Sequence, residues 1–328
     1  MPELATLKTL SARLGSDPLL VQAAGGNTSL KRDGVMWIKA SGTWLKDAIT
    51  SDIFVPVDHP KLMMALKVND PACETCTDFV RSDLNATGLR PSIETTVHAL
   101  MPQRIVLHVH CVNTIAWAIR VDAEALLSEK LKAFDWAFIP YARPGLMLAD
   151  VIAQRLRPGV DVLVLGNHGL VVAADTVAAA EALLTEVVTA LHLPERSAVG
   201  PDLSALSKTC GGTDYSPAMH VETHALATDP EILARTKDRV FYPDHVVFLG
   251  TGVATDMASG APLVALAGLG VIIHQNAKSA VEPMGRCLAD VMRRINTQDV
   301  IKSLTNDDIE RLTNWDAEKY RQNLRISE

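Results

Sequence analysis

Two histidines interrupt an otherwise apolar run, "RIVLHVHCVNT", at His108 and His110. The run reads as a buried strand, in which residues two apart share a face and successive residues alternate. The two imidazoles therefore point the same way, about 7 Å apart at the backbone, while Val109 points into a core. As plain core residues both rings would need hydrogen-bond partners to offset desolvation. As neutral neighbours on one face they suit a divalent metal, whose nitrogen ligands sit about 2.0–2.1 Å away. A third imidazole, His168, lies in "VLVLGNHGLVVA", at a turn between two apolar strands. Sites are often built at such strand ends, and Gly169 permits a tight backbone there. Three histidines with an open position form the pattern of a catalytic zinc and not of a closed structural one.

A carboxylate completes the set. Glu94 lies in "PSIETTVHALM", where Pro91 and Ser92 suit a helix start and His98 falls four residues on, on the same face. Near a metal-held carbonyl such a group can take or return a proton; on spacing alone a first-turn Glu stabilised by the helix dipole is the stronger reading. Two further stretches, "AAGGNTS" (23–29) and "ASG" (40–42), offer backbone N–H groups and hydroxyls. Such loops can cradle a phosphate, although Gly-Asn and Ser-Gly also mark simple turns.

These residues need a scaffold. The first twenty positions alternate as an amphipathic helix would. A loop, a turn at "RDG" and a strand "VMWIKAS" follow. The spacing predicts a helix in "RPGLMLADVIAQRLR", two strands in "DVLVLGNHGLVVAADT" and a helix over 176–191. "HLPERSAVGPDLSALSKTCGGTDYSP" reads as an irregular linker. Beyond it we expect a helix around 230–239, a strand "HVVFLG", a strand near "APLVALAGLGVIIH", and a helix "AVEPMGRCLADVMRRI". A terminal helix over 305–325 follows, with Thr305 and Asp307 as cap candidates. The expected organisation is an α/β protein with a first domain at 1–210 and a small α/β C-terminal domain at 211–328.

Composition bounds the partners. The 328 residues carry a formal net charge of -7, which argues against a nucleic-acid partner and leaves an anionic substrate to a local site. The N-terminus lacks the apolar segment of a secretory signal, and the longest apolar run, 261–273, is too short and Gly-rich for a membrane span. Of five cysteines, Cys73 and Cys76 form a lone CxxC without the second pair of a zinc ribbon. Reduced thiols in a cytoplasmic protein without a membrane partner are expected. His220 and His224 have a metal-like spacing but no third ligand, so we read them as surface residues. His245 and His274 sit at expected strand boundaries. Trp37 and Trp44 are expected to pack the hairpin. "FLGTGVA" carries an isolated GxG without the rest of a dinucleotide fingerprint.

The segments "GGNTS", "IKASG", "PSIETTVH", "IVLHVHCVNT" and "GNHGLVV", in this order over residues 1–192, resemble the class II aldolase/adducin family. That family includes rhamnulose- and fuculose-1-phosphate aldolases, ribulose-phosphate 4-epimerase and adducin head domains. The resemblance implies a three-layer α/β/α sandwich around a mainly antiparallel sheet, in a homotetramer. It implies Zn2+, or another divalent metal, on His108, His110 and His168, and Glu94 as proton shuttle. It places a sugar phosphate on Gly26, Asn27, Ser41, Gly42 and Ser92. The implied activity is a lyase of carbohydrate metabolism, cleaving or forming a C–C bond in a ketose through a metal-stabilised enediolate. Decarboxylation of a 3-oxo sugar-acid phosphate or pentulose-phosphate 4-epimerisation could use the same site, and an adducin-like assembly module would use none of it. Within the family the likeness extends to the aldolase part of predicted bifunctional aldolase/dehydrogenases. The roughly 110 residues after the linker are too few for a full doubly wound dehydrogenase unit. The second base that such aldolases borrow from a neighbouring subunit has stand-ins in Tyr141, Glu124, Glu129 and Asp135, among which the sequence does not choose.

Overall fold

A computed structural model describes residues 1–323. Seven strands form the main sheet: β1 (Asn27–Arg32), β2 (Val35–Lys39), β3 (Phe54–Asp58), β4 (Ile105–Val109), β5 (Trp136–Ile139), β6 (Val162–Leu165) and β7 (Gly169–Ala174). Their order is β3-β2-β1-β4-β7-β6-β5. Every neighbouring pair is antiparallel except β5 and β6. The expected mainly antiparallel sheet is thus present.

Alternation along β4 sorts the layers. Ile105, Leu107 and Val109 join one apolar cluster with Leu170 and Val172 and the helices Pro2–Ser16, Val112–Ala118 and Val177–Ala190. Val106, with Val171 and Leu163, faces the opposite cluster, beneath helices Thr95–Leu100 and Leu146–Arg155. His108 shares the face of Val106, so it points toward the helix that begins beside Glu94.

Three more strands, β8 (Tyr215–Pro217), β9 (Leu263–Leu266) and β10 (Gly270–His274), make a second antiparallel sheet in the order β8-β10-β9. Helix Val281–Met292 packs against helix Val112–Ala118. Val281, Met284 and Leu288 belong to the same apolar cluster as Ile105 and Leu107. Core therefore runs without a break across the boundary expected near residue 210.

Several local readings need correction. "HVVFLG" is not a strand but most of the helix Pro243–Leu249. Pro243 sits in its first turn, where a missing N–H costs nothing. Pro243, Asp244, His245, Val246, Phe248 and Leu249 are all buried, and a short helix buried all round has no period to separate it from a strand. The linker contains a helix, Leu203–Cys210, capped by Asp202 accepting from the Ala205 N–H. The single strand expected near 261–274 is the hairpin β9–β10, turning at Gly268, whose φ is +74°. Ser92 caps a turn ahead of helix Thr95–Leu100 by accepting from the Glu94 N–H at 3.2 Å. The terminal segment is two helices, Asn306–Thr313 and Asp316–Asn323. Thr305 caps the first, with Asp308 closing the capping box in place of Asp307. Residues 324 and 325 of the expected terminal helix lie outside the described residues.

Candidate active site

β4 carries His108 on its penultimate position and His110 just past its end. β7 runs antiparallel beside it, with Val109 opposite Leu170. Continued past the strand ends, that register sets Gly169 opposite His110, with His168 one residue further along the turn. The turn is shaped by Asn167, held at φ +52°, a left-handed conformation that asparagine tolerates. Gly169 is a steric requirement: a Cβ there would lie 2.6 Å from the Val109 carbonyl oxygen and 3.3 Å from His108 Cε1.

The three rings form a near-equilateral cluster. Centroid separations are 4.9 Å for His108–His110, 5.0 Å for His108–His168 and 5.1 Å for His110–His168. One ligand atom from each lies within 4.8 Å of the others, and all three residues are buried. His108 Nε2 and His110 Nε2 are 3.1 Å apart. Two nitrogens on one tetrahedral ion at 2.0–2.1 Å stand about 3.3–3.4 Å apart, so this donor set fits a single divalent cation. His108 Nδ1 lies 3.0 Å from the Leu170 carbonyl oxygen, which directs its Nε2 toward the others.

Glu94 closes the cluster. Its Oε2 accepts from Asn27 Nδ2 at 2.8 Å and lies 3.3 Å from His108 Nε2. Oε1 lies 3.5 Å from His168 Nε2 and has no hydrogen-bond partner; His168 Nδ1 has none either. Buried polar atoms left this way point to a missing ligand. Burial lowers the pKa of His108 and takes His168 down to about 3, so both rings are neutral near pH 7. Burial pushes the Glu94 carboxyl up, but the positive charge that His108, His168 and His110 take on when protonated in acid, with the Asn27 amide, outweighs it and holds the group at about 2. Neutral imidazoles beside an ionised carboxylate are the protonation state a metal ion takes up.

The two Gly-containing loops meet at the same place. Ser41 N donates to Arg90 O and Ser92 N to Lys39 O, zipping the end of β2 to the segment before Glu94. Asn27 Nδ2 also donates to Ser92 Oγ at 3.2 Å. Gly26, Asn27, Ser41, Gly42, Ser92, Glu94, His110 and His168 line one cavity; His108 does not line it but adjoins His110. The Ser41 hydroxyl and Asn27 Oδ1 are buried without hydrogen-bond partners. A Cβ on Gly26 would meet the His108 carbonyl oxygen at 2.8 Å.

The sequence reading missed Lys39, Asp244 and Glu318, all of which line the cavity and are buried. Lys39 Nζ donates to the carbonyls of Ala24 and Thr43, each at 2.8 Å, tying the two loops together. Its only signal in the sequence is a lone lysine at the end of "VMWIK". Asp244 and Glu318 come from the C-terminal part, and no local pattern marks them. Glu124, Glu129 and Asp135 are exposed, and Tyr141 packs with Val240, Val246, Leu304 and Leu312. None of the four lines the cavity. Nor do Trp37 and Trp44, which are half-buried against the main core.

Of the other residues set aside, His224 is not on the surface. It is buried, with Nε2 3.1 Å from Ala218 O and Nδ1 accepting from Val271 N. His245 is buried beside Phe241 and Tyr242, and His274 stacks edge-on with Tyr215. All five cysteines are free and buried. Gly250 of the GxG follows a helix and not a strand. Among the described residues no helix is long and apolar enough to cross a membrane.

Residues 7–193 match the profile of the family described as Class II Aldolase and Adducin N-terminal domain. A curated protein of Bacillus subtilis (strain 168), "Uncharacterized oxidoreductase YuxG", is 28% identical over 175 residues, covering 50% of this chain and 25% of that protein. The chain thus matches about a quarter of that relative's length. Among solved structures, the N-terminal class II aldolase domain of a conserved protein from Thermoplasma acidophilum is 26% identical. That match covers 56% of this chain and 89% of the other, with a TM-score of 0.48. L-fuculose-1-phosphate aldolase from Thermus thermophilus is 17% identical, covering 57% and 92%, with a TM-score of 0.36.

Proposed function

From the premise that the chain belongs to the class II aldolase and adducin family, we propose that it is a divalent-metal-dependent, aldolase-type lyase acting on a phosphorylated ketose. The observation that carries this reading is the convergence of His108, His110 and His168, with Glu94 within 3.5 Å of two of them. An adducin-like assembly role would not call for a complete donor set with an ionised carboxylate beside it. Zn2+ is the metal we assign to the three imidazoles. The chemistry such an ion supplies when bound is Lewis-acid stabilisation of the negative charge that develops as the C–C bond breaks.

The chain's own residues do the rest. Asn27 fixes Glu94 Oε2, leaving Oε1 to face a substrate proton. Glu94 is ionised near pH 7, and as a carboxylate within reach of the cluster it takes a proton from carbon in the condensing direction. By microscopic reversibility it returns that proton in cleavage. The Ser41 and Ser92 hydroxyls and the backbone N–H groups of the Gly26–Asn27 loop and Gly42 hold the anionic end of the substrate, with Lys39 adding positive charge beneath them. Anchoring that end orients the scissile bond.

The test is product analysis with a panel of phosphorylated ketoses and 3-oxo sugar acids, with and without chelator. Chelator-sensitive release of an aldehyde from a ketose phosphate is the expected result. Chelator-insensitive turnover, or none across the panel with metal-loaded protein, would overturn the proposal. The same panel separates cleavage from decarboxylation and 4-epimerisation, which these residues could also serve.

A further inference from the structure

We propose that Asp244 is a positioning residue for His110, so that the C-terminal part of the chain completes a metal centre otherwise built from the first 193 residues. The inference rests on the metal-binding reading above. Asp244 Oδ2 lies 3.0 Å from His110 Nδ1, and both side chains are buried. The other ring nitrogen, Nε2, is the one 3.1 Å from His108 Nε2. The ring is thus gripped at one nitrogen by a carboxylate and turned with the other toward the centre. A carboxylate in that place fixes the tautomer with Nδ1 protonated and leaves the Nε2 lone pair for a ligand bond; partners of this kind raise the ligand's basicity.

Three features of the surroundings support a built arrangement. His110 lies beyond the last residue of β4, so no strand ladder holds it and its ring depends on side-chain tethers. Gly25 leaves the contact open: a Cβ there would fall 2.7 Å from His110 Nδ1 and 3.0 Å from Asp244 Oδ2. The segment that delivers Asp244 is anchored to the turn that carries His168, because Asn167 Nδ2 donates to the carbonyls of Phe241 and Lys302, each at 2.8 Å. One turn residue therefore sets the third imidazole and the strap bearing the carboxylate together.

The geometry assigns different outer partners to the rings. His108 leans on a backbone carbonyl, whereas His110 leans on a charged group from a distant part of the chain. Loss of Asp244 should therefore weaken metal binding through His110 specifically. The measurement is the Zn2+ dissociation constant of the full chain by competition with a chromogenic chelator. It compares wild type, Asp244→Asn and Asp244→Ala, each also in a His110→Ala background. Asp244→Ala should bind about 10- to 100-fold more weakly, with Asp244→Asn, which keeps the shape but not the charge, between it and wild type. With His110 absent, neither substitution should weaken binding further. Far-UV circular dichroism of the metal-free variants checks folding, and the isosteric Asp244→Asn carries the test if Asp244→Ala is unfolded. Affinities within threefold of wild type, or an equal loss in the His110→Ala background, would overturn the assignment. A wild-type chain that binds no zinc would sink the proposed function as well, whereas tight wild-type binding with indifferent Asp244 variants would sink this inference alone.

Discussion

Glu94→Gln exchanges one carboxylate oxygen for an amide and keeps the side-chain volume. The glutamine carbonyl can go on accepting the Asn27 amide, now 2.8 Å from Glu94 Oε2. Its NH2 then occupies the place of Oε1, 3.5 Å from His168 Nε2. A charge-assisted hydrogen bond becomes a neutral one, at a loss of about 1 kcal/mol, while removal of a buried charge offsets part of that. Stability should therefore change by no more than about 1 kcal/mol, or roughly 2 °C in Tm for a chain of this size. Turnover is another matter, because an amide cannot accept the proton. General acid–base contributions of about 10²- to 10⁴-fold correspond to a barrier higher by about 3–5 kcal/mol. The assay is kcat for aldehyde release on the substrate that the panel identifies, with metal content measured on the same preparation. The expected result is kcat down by at least about 100-fold with zinc retained. Activity within threefold of wild type would refute the proton role, and loss of zinc would make Glu94 a ligand instead.

Two further outcomes are expected. Asn167→Ala removes both bonds to the strap, leaves the Phe241 and Lys302 carbonyls short of a partner, and places alanine at φ +52°. The Phe241 carbonyl is the buried one of the two; at about 1–3 kcal/mol for an orphaned buried group, plus about 1 kcal/mol for alanine in the left-handed region, urea unfolding should show a loss of about 2 kcal/mol or more, and a loss under about 1 kcal/mol would contradict the strap. Burial takes the pKa of His245 down to about 3, from an ordinary 6.5. The unfolded chain thus binds a proton below about pH 6.5 that the folded chain refuses until about pH 3. Its contribution is full above that window and is lost as pH falls through it, at up to about 1.4 kcal/mol per pH unit. His245→Phe should flatten the acid limb of the stability profile by that slope, and an unchanged slope would contradict it.

The parts of the site that could be read from the sequence are those written in local periodicity. His108 and His110 stand out because period-two alternation makes two polar residues on one face conspicuous. His168 stands out because a turn residue between apolar strands ends up at the strand ends, where sites are often built. The loops at Gly26 and Gly42 carry their own turn chemistry. Asp244 had no such mark. Helix Pro243–Leu249 is buried on every side, so its sequence has no polar stripe and reads as a strand. The contact to His110 is fixed by how the C-terminal helices pack on one another and on helix Val112–Ala118, and by the Asn167 tether to Phe241. Lys39 hid for another reason: a lone lysine at the end of a strand reads as solvent-facing, and only the fold shows that its ammonium ties two loops at the cavity. Leu203–Cys210 escaped because a short helix among Pro, Gly and Ser residues has too few turns to display a period.

The central claim is that three imidazoles from two strand ends share one cation. Metal analysis by mass spectrometry of the purified chain, beside His108→Ala, His110→Ala and His168→Ala, tests it most directly. The account predicts about one divalent ion per wild-type chain and a large loss of metal in each variant that remains folded. A metal-free wild type after zinc loading, or a folded variant that keeps its full complement of metal, would contradict it.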